Sequence, residues 1–417
     1  MMAEDLPSTH PFYPIICYSK TVCKEEQIRL KESINVLLYE DLDHIKKHCF
    51  EGLLHEPPAL RAIYWKILLG YLPPANYESW SHILKNKRNT YLSYVELCQK
   101  ETNVMDFNML TKKGNSCQEE IQRECEDIPT SSGQQLTGVM STDSYLFDQI
   151  NKDVFRTQCL RALLNNAPPN FSNKTLENKT IPLSICKKVN ILCPESFSDQ
   201  FARILYTYAK SNKTLKYVQG MNEMLAVIFY VIFQDNNNLQ YSEQIRNPLQ
   251  QKEADAFFCF SQLLKLNNHG YCFCPCYDLH PLGIIGRVQR FSSMLKIHEP
   301  QIYDHFQNLK LSTQFFALRW ILVLFSQDFP LLVVLRLWDS FISEGDAYHE
   351  SQHELCYFIA LSIVSQLKRQ LLICDFSSAI QLLQHIPVLI PEVLVSHAIG
   401  LRCDFETKTD GIVYKMM

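Results

Sequence analysis

The chain has 417 residues, 47% hydrophobic and 20% charged, which is enough to bury a sizeable core and long enough for two or three domains or lobes. A net charge of −4 gives no global basic field of the kind that draws nucleic acid or anionic lipid. The 16 cysteines, with no apolar h-region between Met1 and Pro14, predict a cytosolic protein with reduced thiols, in which the sequons at Asn170, Asn173, Asn178 and Asn212 go unused.

Residues 1–24 carry scattered Pro and aromatic residues without periodicity and read as an N-terminal extension or loosely docked arm. From 25 to 49, Ile28, Ile34, Leu37, Leu38, Leu42 and Ile45 fall mostly three and four apart, which predicts one amphipathic helix ended by Gly52. Pro57 and Pro58 announce a second helix that stops near Pro73. On it Arg61 and Trp65 are four apart and share a face, which predicts an Arg stacked over a Trp at a helix junction. A helix over 77–98 is followed by a polar stretch, 100–143, expected to be a long mobile insertion.

Order returns at Tyr145. Ile150, Asp153 and Arg156 are spaced by three on a predicted helix, so Asp153 sits one turn before Arg156. An acid so placed can fix the angle of a guanidinium, but the ordinary meaning of such a pair is a surface ion pair. After a loop-like stretch at 165–194, a helix over 196–210 leads to Tyr217-Val-Gln-Gly-Met-Asn-Glu223. The apolar run 224–233 follows at once and reads as a buried helix, far too short to cross a bilayer. The heptad therefore sits at a helix N-terminus, which favours anionic ligands. Gly220 frees the backbone, Asn222 can cap, Glu223 suits a first turn, and the Gln219 amide can accept from and donate to one water. Read alone, the same residues also fit a simple turn leading into core.

Residues 236–251 are polar and mark the expected boundary between two lobes: 25–235 and 236–402, with a tail at 403–417. The second lobe reads as successive helices over 254–266, 282–295, 300–309, 313–325, 330–341, 353–370, 376–385 and 392–401. Arg319 with Trp320, and Arg336 with Trp338 and Asp339, are expected to pack locally. His269, Cys272, Cys274, Cys276 and His280 crowd one loop, but the C-x-C-x-C spacing departs from the usual C-x₂-C zinc pattern, so no metal is expected.

Three spaced signatures occur in order: Arg61 with Trp65, Ile150 with Asp153 and Arg156, and Tyr217 with Gln219. In this order, in an all-helical chain, they resemble the TBC-domain Rab GTPase-activating proteins, over roughly residues 30–400. The stretches 65–73, 217–223, 254–260, 314–320 and 336–339 support the resemblance, and the later ones are most like the subgroup called TBC domain family member thirteen. The resemblance implies an all-α, two-lobed TBC fold. It also implies an Arg finger, Arg156, and a Gln finger, Gln219, offered in trans to a GTP-bound Rab. Asp153 would hold Arg156, while Ile150, Tyr217, Gly220, Arg61 and Trp65 would support the site. No cofactor of its own is implied, since GTP and Mg²⁺ would belong to the Rab. The chain would then be an activator rather than an enzyme, cytoplasmic and recruited indirectly to endomembranes, with no nucleic-acid partner. The sequence departs from the family at Lys213, where a Pro is common, and after Thr157, where Gln158 and Cys159 replace Thr-x-Pro. These departures motivate the alternative of a catalytically silent Rab-binding adaptor.

Overall fold

The computed structural model describes residues 12–74, 76–112, 142–157, 197–212, 215–234, 249–344 and 354–416, and every regular element among them is a helix. The first, α1 (Tyr13–Ser19), is docked rather than loose, because Phe12 and Ile15 are fully buried and Phe12 meets the Tyr77 ring edge-on at 5.1 Å. The expected single helix over 25–49 is two: α2 (Lys24–Tyr39) and α3 (Leu42–Phe50). Asp41 separates them, since its extended backbone lets the carboxylate accept from the N–H groups of Asp43 and His44 and start a new helix. Gly52 (φ 100) then turns the chain, and Pro58 opens α4 (Pro58–Leu68), as the sequence predicts.

α5 (Tyr77–Lys112) runs beyond its expected end near 98 and into the stretch read as an insertion; 113–141 lies outside the described residues. α6 (Thr142–Arg156), α7 (Phe197–Ser211) and α8 (Met221–Gln234) follow. α8 is apolar all round, with residues 221–229 and 231–233 buried, so it packs on every side, against α4, α6 and α7. α9 (Leu249–Lys265) lies beyond the expected lobe boundary, yet it packs against α5, α7 and α8 of the N-terminal half.

Short 3₁₀ turns over Leu266–Phe273 and Pro275–Tyr277 lead to α10 (Ile284–His298), α11 (Pro300–Asn308) and α12 (Gln314–Leu322). α12 ends earlier than predicted because Leu324 and Phe325 take positive φ, a turn fixed by the Trp338 indole donating to the Leu324 carbonyl (3.0 Å). α13 (Leu331–Glu344) carries Asp339 into the interior. The expected helix over 353–370 breaks at Leu367 into α14 (Leu355–Gln366) and α15 (Lys368–Leu371). α16 (Phe376–Gln384) is capped by Asp375, and α17 (Pro391–Met416) packs along α14.

Buried carboxylates join the halves. Asp339 of α13 accepts from Arg61 Nε (3.0 Å), Trp65 Nε1 (2.8 Å) and the Leu53 N–H (3.2 Å). The Trp65 and Trp338 rings stack at 6.0 Å beside it. Arg61 is therefore not laid over Trp65. Both reach for one acid 274 or more positions away, and Asp339 is not satisfied locally as the sequence suggested. Gly52 has no room for a side chain, because a Cβ there would lie 2.5 Å from Arg336 Nε. In the N-terminal half, Asp255 of α9 accepts from Lys66 Nζ (3.0 Å), Tyr71 (2.6 Å) and Arg88 Nε (3.1 Å).

Asp339→Ala leaves the Arg61 guanidinium and the Trp65 indole buried without their acceptor. The expected cost is about 3–5 kcal/mol, read as a lower midpoint in chemical denaturation. A loss under about 1 kcal/mol would show that the junction tolerates an uncompensated charge.

Candidate functional site

α6 forms because Leu146, Ile150 and Val154 recur four apart and turn one stripe inward; Ile150 and Val154 are buried against α7 and α8. Asp153 shares that inward side and is buried. Its carboxylate Oδ2 accepts from the Tyr217 hydroxyl at 2.8 Å. Arg156, at the last turn, is exposed and makes no hydrogen bond or ion pair with another described residue. The predicted Asp153–Arg156 pairing is thus replaced by an Asp153–Tyr217 bond between two segments 64 positions apart.

Tyr217 belongs to the turn that enters α8, and the rest of that turn is tied to the end of α6. Asn222 Nδ2 donates to Thr157 Oγ1 (3.0 Å) and to Glu223 Oε1 (3.1 Å). Thr157 Oγ1 in turn donates to the Asp153 carbonyl (2.9 Å). Asn222 Oδ1 accepts from the Gly220 N–H (3.0 Å) and lies 3.4 Å from the Tyr217 hydroxyl. Asn222 therefore reaches across to the neighbouring helix as well as back to its own turn, a role broader than the cap its sequence position suggests. Each of these polar groups is buried and each has a partner, so the network is rigid.

Burial, reinforced by the Asp153 carboxylate, raises the Tyr217 phenol above its ordinary range and keeps it a donor. Burial likewise raises the Glu223 carboxyl, opposed by hydrogen bonds from Gln327 and Asn222. Gly220 has φ +105, and a Cβ there would lie 3.3 Å from both Phe273 Cε1 and Val323 Cγ1. A left-handed backbone over a closed floor is where glycine is needed. Gln219, one residue earlier, is exposed and, like Arg156, makes no hydrogen bond with another described residue.

The structure thus brings together Ile150, Asp153, Arg156, Tyr217, Gln219 and Gly220, on the end of α6 and the entry to α8. Arg61 and Trp65 lie apart from this network, on α4 at the Asp339 junction, and α4 in turn packs on α8. The sequence reading missed what Asn222 and Thr157 do. Their signal was a polar pair beside two motifs, with no pattern to say that they face each other.

The His/Cys loop forms the floor below Gly220. His269 is buried and its Nε2–H donates to the Leu322 carbonyl at 2.9 Å. Cys272 and Cys274 are buried, while Cys276 and His280 are exposed. Among the described residues no three His, Cys, Asp or Glu side chains are grouped to hold a metal ion.

Residues 174–372 match the Rab-GTPase-TBC domain family. That match spans just under half of the chain. TBC1 domain family member 13 of Mus musculus is 27% identical over 384 residues, covering 83% of this chain and 90% of that protein. TBC1 domain family member 22B of Homo sapiens is 26% identical, covering 87% of this chain and 58% of that protein. Among solved structures, the Ypt/Rab-GAP domain of Gyp1p superposes with a TM-score of 0.60 at 22% identity, covering 90% of this chain and 98% of that one. The all-α TBC fold expected from the sequence is the fold observed. Gln219 lies within the matched stretch of the TBC domain, whereas Asp153 and Arg156 precede it.

Two measurements test this part of the chain. Tyr217→Phe leaves the buried Asp153 carboxylate without its donor, and about 1–3 kcal/mol of stability is expected to go with it; an unchanged denaturation midpoint would show the bond to be dispensable. The second concerns His269, whose imidazole is driven from its ordinary 6.5 to about 3 by burial first and the Arg287 charge second. The unfolded chain binds a proton there below pH 6.5 and the folded protein does not. Stability from this group is therefore present above pH 6.5 and falls toward pH 3, by at most about 1.4 kcal/mol per pH unit. Between pH 7.5 and 5 the wild type should lose more stability than His269→Gln, whose amide can still donate to Leu322. Equal losses would assign the acid sensitivity elsewhere.

Proposed function

We propose that this chain accelerates GTP hydrolysis by a Rab-family small GTPase in its GTP-bound state, with Arg156 and Gln219 supplied in trans. The match of residues 174–372 to the Rab-GTPase-TBC domain family and the likeness in fold to a solved Ypt/Rab-GAP domain support this reading. The observation that carries the residue assignment is the buried Asp153–Tyr217–Asn222–Thr157 network, which fastens together the two segments bearing exposed Arg156 and exposed Gln219.

Phosphoryl transfer requires placement and charge stabilisation rather than covalent help from the activator. The Arg156 guanidinium, on a helix end with its side chain in solvent, would offset charge on the equatorial phosphate oxygens. The Gln219 amide would accept one proton of the attacking water and donate to a second oxygen, aligning the nucleophile. Asp153 and Tyr217 would act as positioning groups, and Gly220 would give Gln219 its approach. Nucleotide and Mg²⁺ would be the Rab's own, and the reaction likewise. Among the described residues no helix is long and apolar enough to cross a membrane. On this reading the chain would work from the cytoplasm, reaching endomembranes through the Rab and regulating vesicle traffic there.

Single-turnover phosphate release from a panel of GTP-loaded Rabs tests the proposal. Wild type should stimulate one or a few of them. Arg156→Ala should lower the stimulated rate by about 10³–10⁵, and Gln219→Ala should remove most of it, with thermal unfolding of both variants unchanged because both side chains are exposed. Two fully active variants would overturn the assignment. Rab binding without stimulation by wild type would make the chain a silent adaptor instead.

A further inference from the structure

The loop beneath Gly220 holds a feature that the proposed activity does not use. Cys274 and Cys276 flank Pro275, and their sulfurs lie 2.9 Å apart, close enough to share a proton. The backbone that carries them is fixed on both sides. Pro275 locks its own φ. Cys274 N donates to the Tyr271 carbonyl (3.2 Å), Tyr277 N to the Cys274 carbonyl (2.8 Å), and the Tyr271 and Tyr277 rings lie 4.4 Å apart. Cys272 and Phe273, immediately before, are buried in the core. The two sulfurs are thus brought together by the fold, and closing the remaining gap calls on the two side chains rather than on a loop movement.

Their environments differ in a useful way. Cys276 is exposed, and Cys274 is buried behind it. Hydrogen bonding to Cys276, then burial, holds the Cys274 thiol above its ordinary range. An exposed thiol with a second sulfur in contact from the buried side is the arrangement of an attacking and a resolving cysteine.

We propose that Cys274 and Cys276 form a thiol–disulfide exchange site that closes to an intramolecular disulfide when it meets an oxidised low-molecular-weight disulfide such as glutathione disulfide. The Cys276 thiolate attacks one sulfur of glutathione disulfide. A bond forms from Cys276 to that sulfur, the glutathione S–S bond breaks, and one glutathione leaves as thiolate, taking up a proton. Cys274, losing its proton to solvent, then attacks the Cys276 sulfur. The Cys274–Cys276 bond forms, the mixed disulfide breaks, and the second glutathione leaves. Two protein thiols are oxidised by two electrons and one glutathione disulfide is reduced to two thiols. A thiol such as dithiothreitol reverses both steps.

The site stands apart from the GTPase reading, and its test uses mass rather than activity. Full-length protein is reduced, desalted, incubated with glutathione disulfide, quenched with acid, unfolded in guanidinium chloride, alkylated with N-ethylmaleimide and mapped as peptides. The peptide bearing Cys272, Cys274 and Cys276 should carry one maleimide, on Cys272, in place of three, and should lack two hydrogens at Cys274 and Cys276. Dithiothreitol should restore three labels. Cys274→Ser should instead trap glutathione on Cys276, and Cys276→Ser should leave Cys274 without glutathione. Wild-type peptide that keeps all three labels, or that retains glutathione on Cys276, would overturn the proposal.

Discussion

A single carboxylate, that of Asp339, sets how the two halves of the chain meet. A carboxylate taken fully out of water costs several kcal/mol unless its lone pairs are filled. Here they are filled by donors from one stretch of sequence, Leu53, Arg61 and Trp65, while the acid comes from α13. Sliding α4 against α13 would pull these donors off the acid and strand a charge. α4 also packs on α8, and α8 begins with the turn that presents Gln219. The position of that turn is linked, through the packing of α4 on α8, to a salt bridge outside its own network. Asp255, gripped by Lys66, Tyr71 and Arg88, does the same for α4, α5 and α9.

Much of the helical framework was legible because periodicity is local. Apolar residues at three- and four-residue spacing gave α7 nearly to the residue, the unbroken apolar run gave the body of α8, and Pro58 marked the start of α4, which ends at Leu68 rather than near Pro73. The misjudged boundaries share a cause. The break between α2 and α3 depends on which backbone N–H groups Asp41 captures, and the early end of α12 depends on Trp338 donating to Leu324. The end of α5 was placed too early because polar composition was taken for loop, although Gln, Glu and Lys are good helix formers. Arg61 and Trp65 were correctly placed on one helix face, but their partner is 274 or more positions away, and nothing in the spacing points to it.

The site was legible to the same degree. Short spaced signatures named Asp153, Arg156, Tyr217 and Gln219; spacing suggested an ordinary Asp153–Arg156 ion pair, and the family resemblance implied that Asp153 holds Arg156. Magnitudes explain why it does not. A solvent-exposed acid–Arg pair one turn apart is worth about 0–1 kcal/mol, whereas leaving a buried acceptor or hydroxyl unpaired costs about 1–3 kcal/mol. Once Val154 and Ile150 turn their stripe inward, Asp153 goes with them, and the Tyr217 hydroxyl becomes the stronger claim on it. The long-range bond then does more for the site than the local one would. An Asp153–Arg156 pair would only fix a side chain, while Asp153–Tyr217, with Asn222 and Thr157, fixes two backbone segments against each other.

That division of labour has a thermodynamic consequence. Everything that positions the backbone at this site is buried and hydrogen-bonded, and Gly220 is further confined by φ +105 and by Phe273 and Val323 beneath it. The cost of ordering these groups is met when the chain folds. Arg156 and Gln219, by contrast, keep their rotamer freedom in solvent, and ordering either costs about 1.5–2 kcal/mol at most. On the proposed reading, that cost falls at docking, where a phosphate and a water supply the contacts that repay it. Interactions so arranged are made more strongly in the transition state than before it, which is the condition for raising a rate rather than merely tightening a complex. A pair of side chains locked in place in the free protein, by Asp153 or by each other, would first have to be released, so leaving both ends loose on a rigid base suits a group that acts on a partner's reaction.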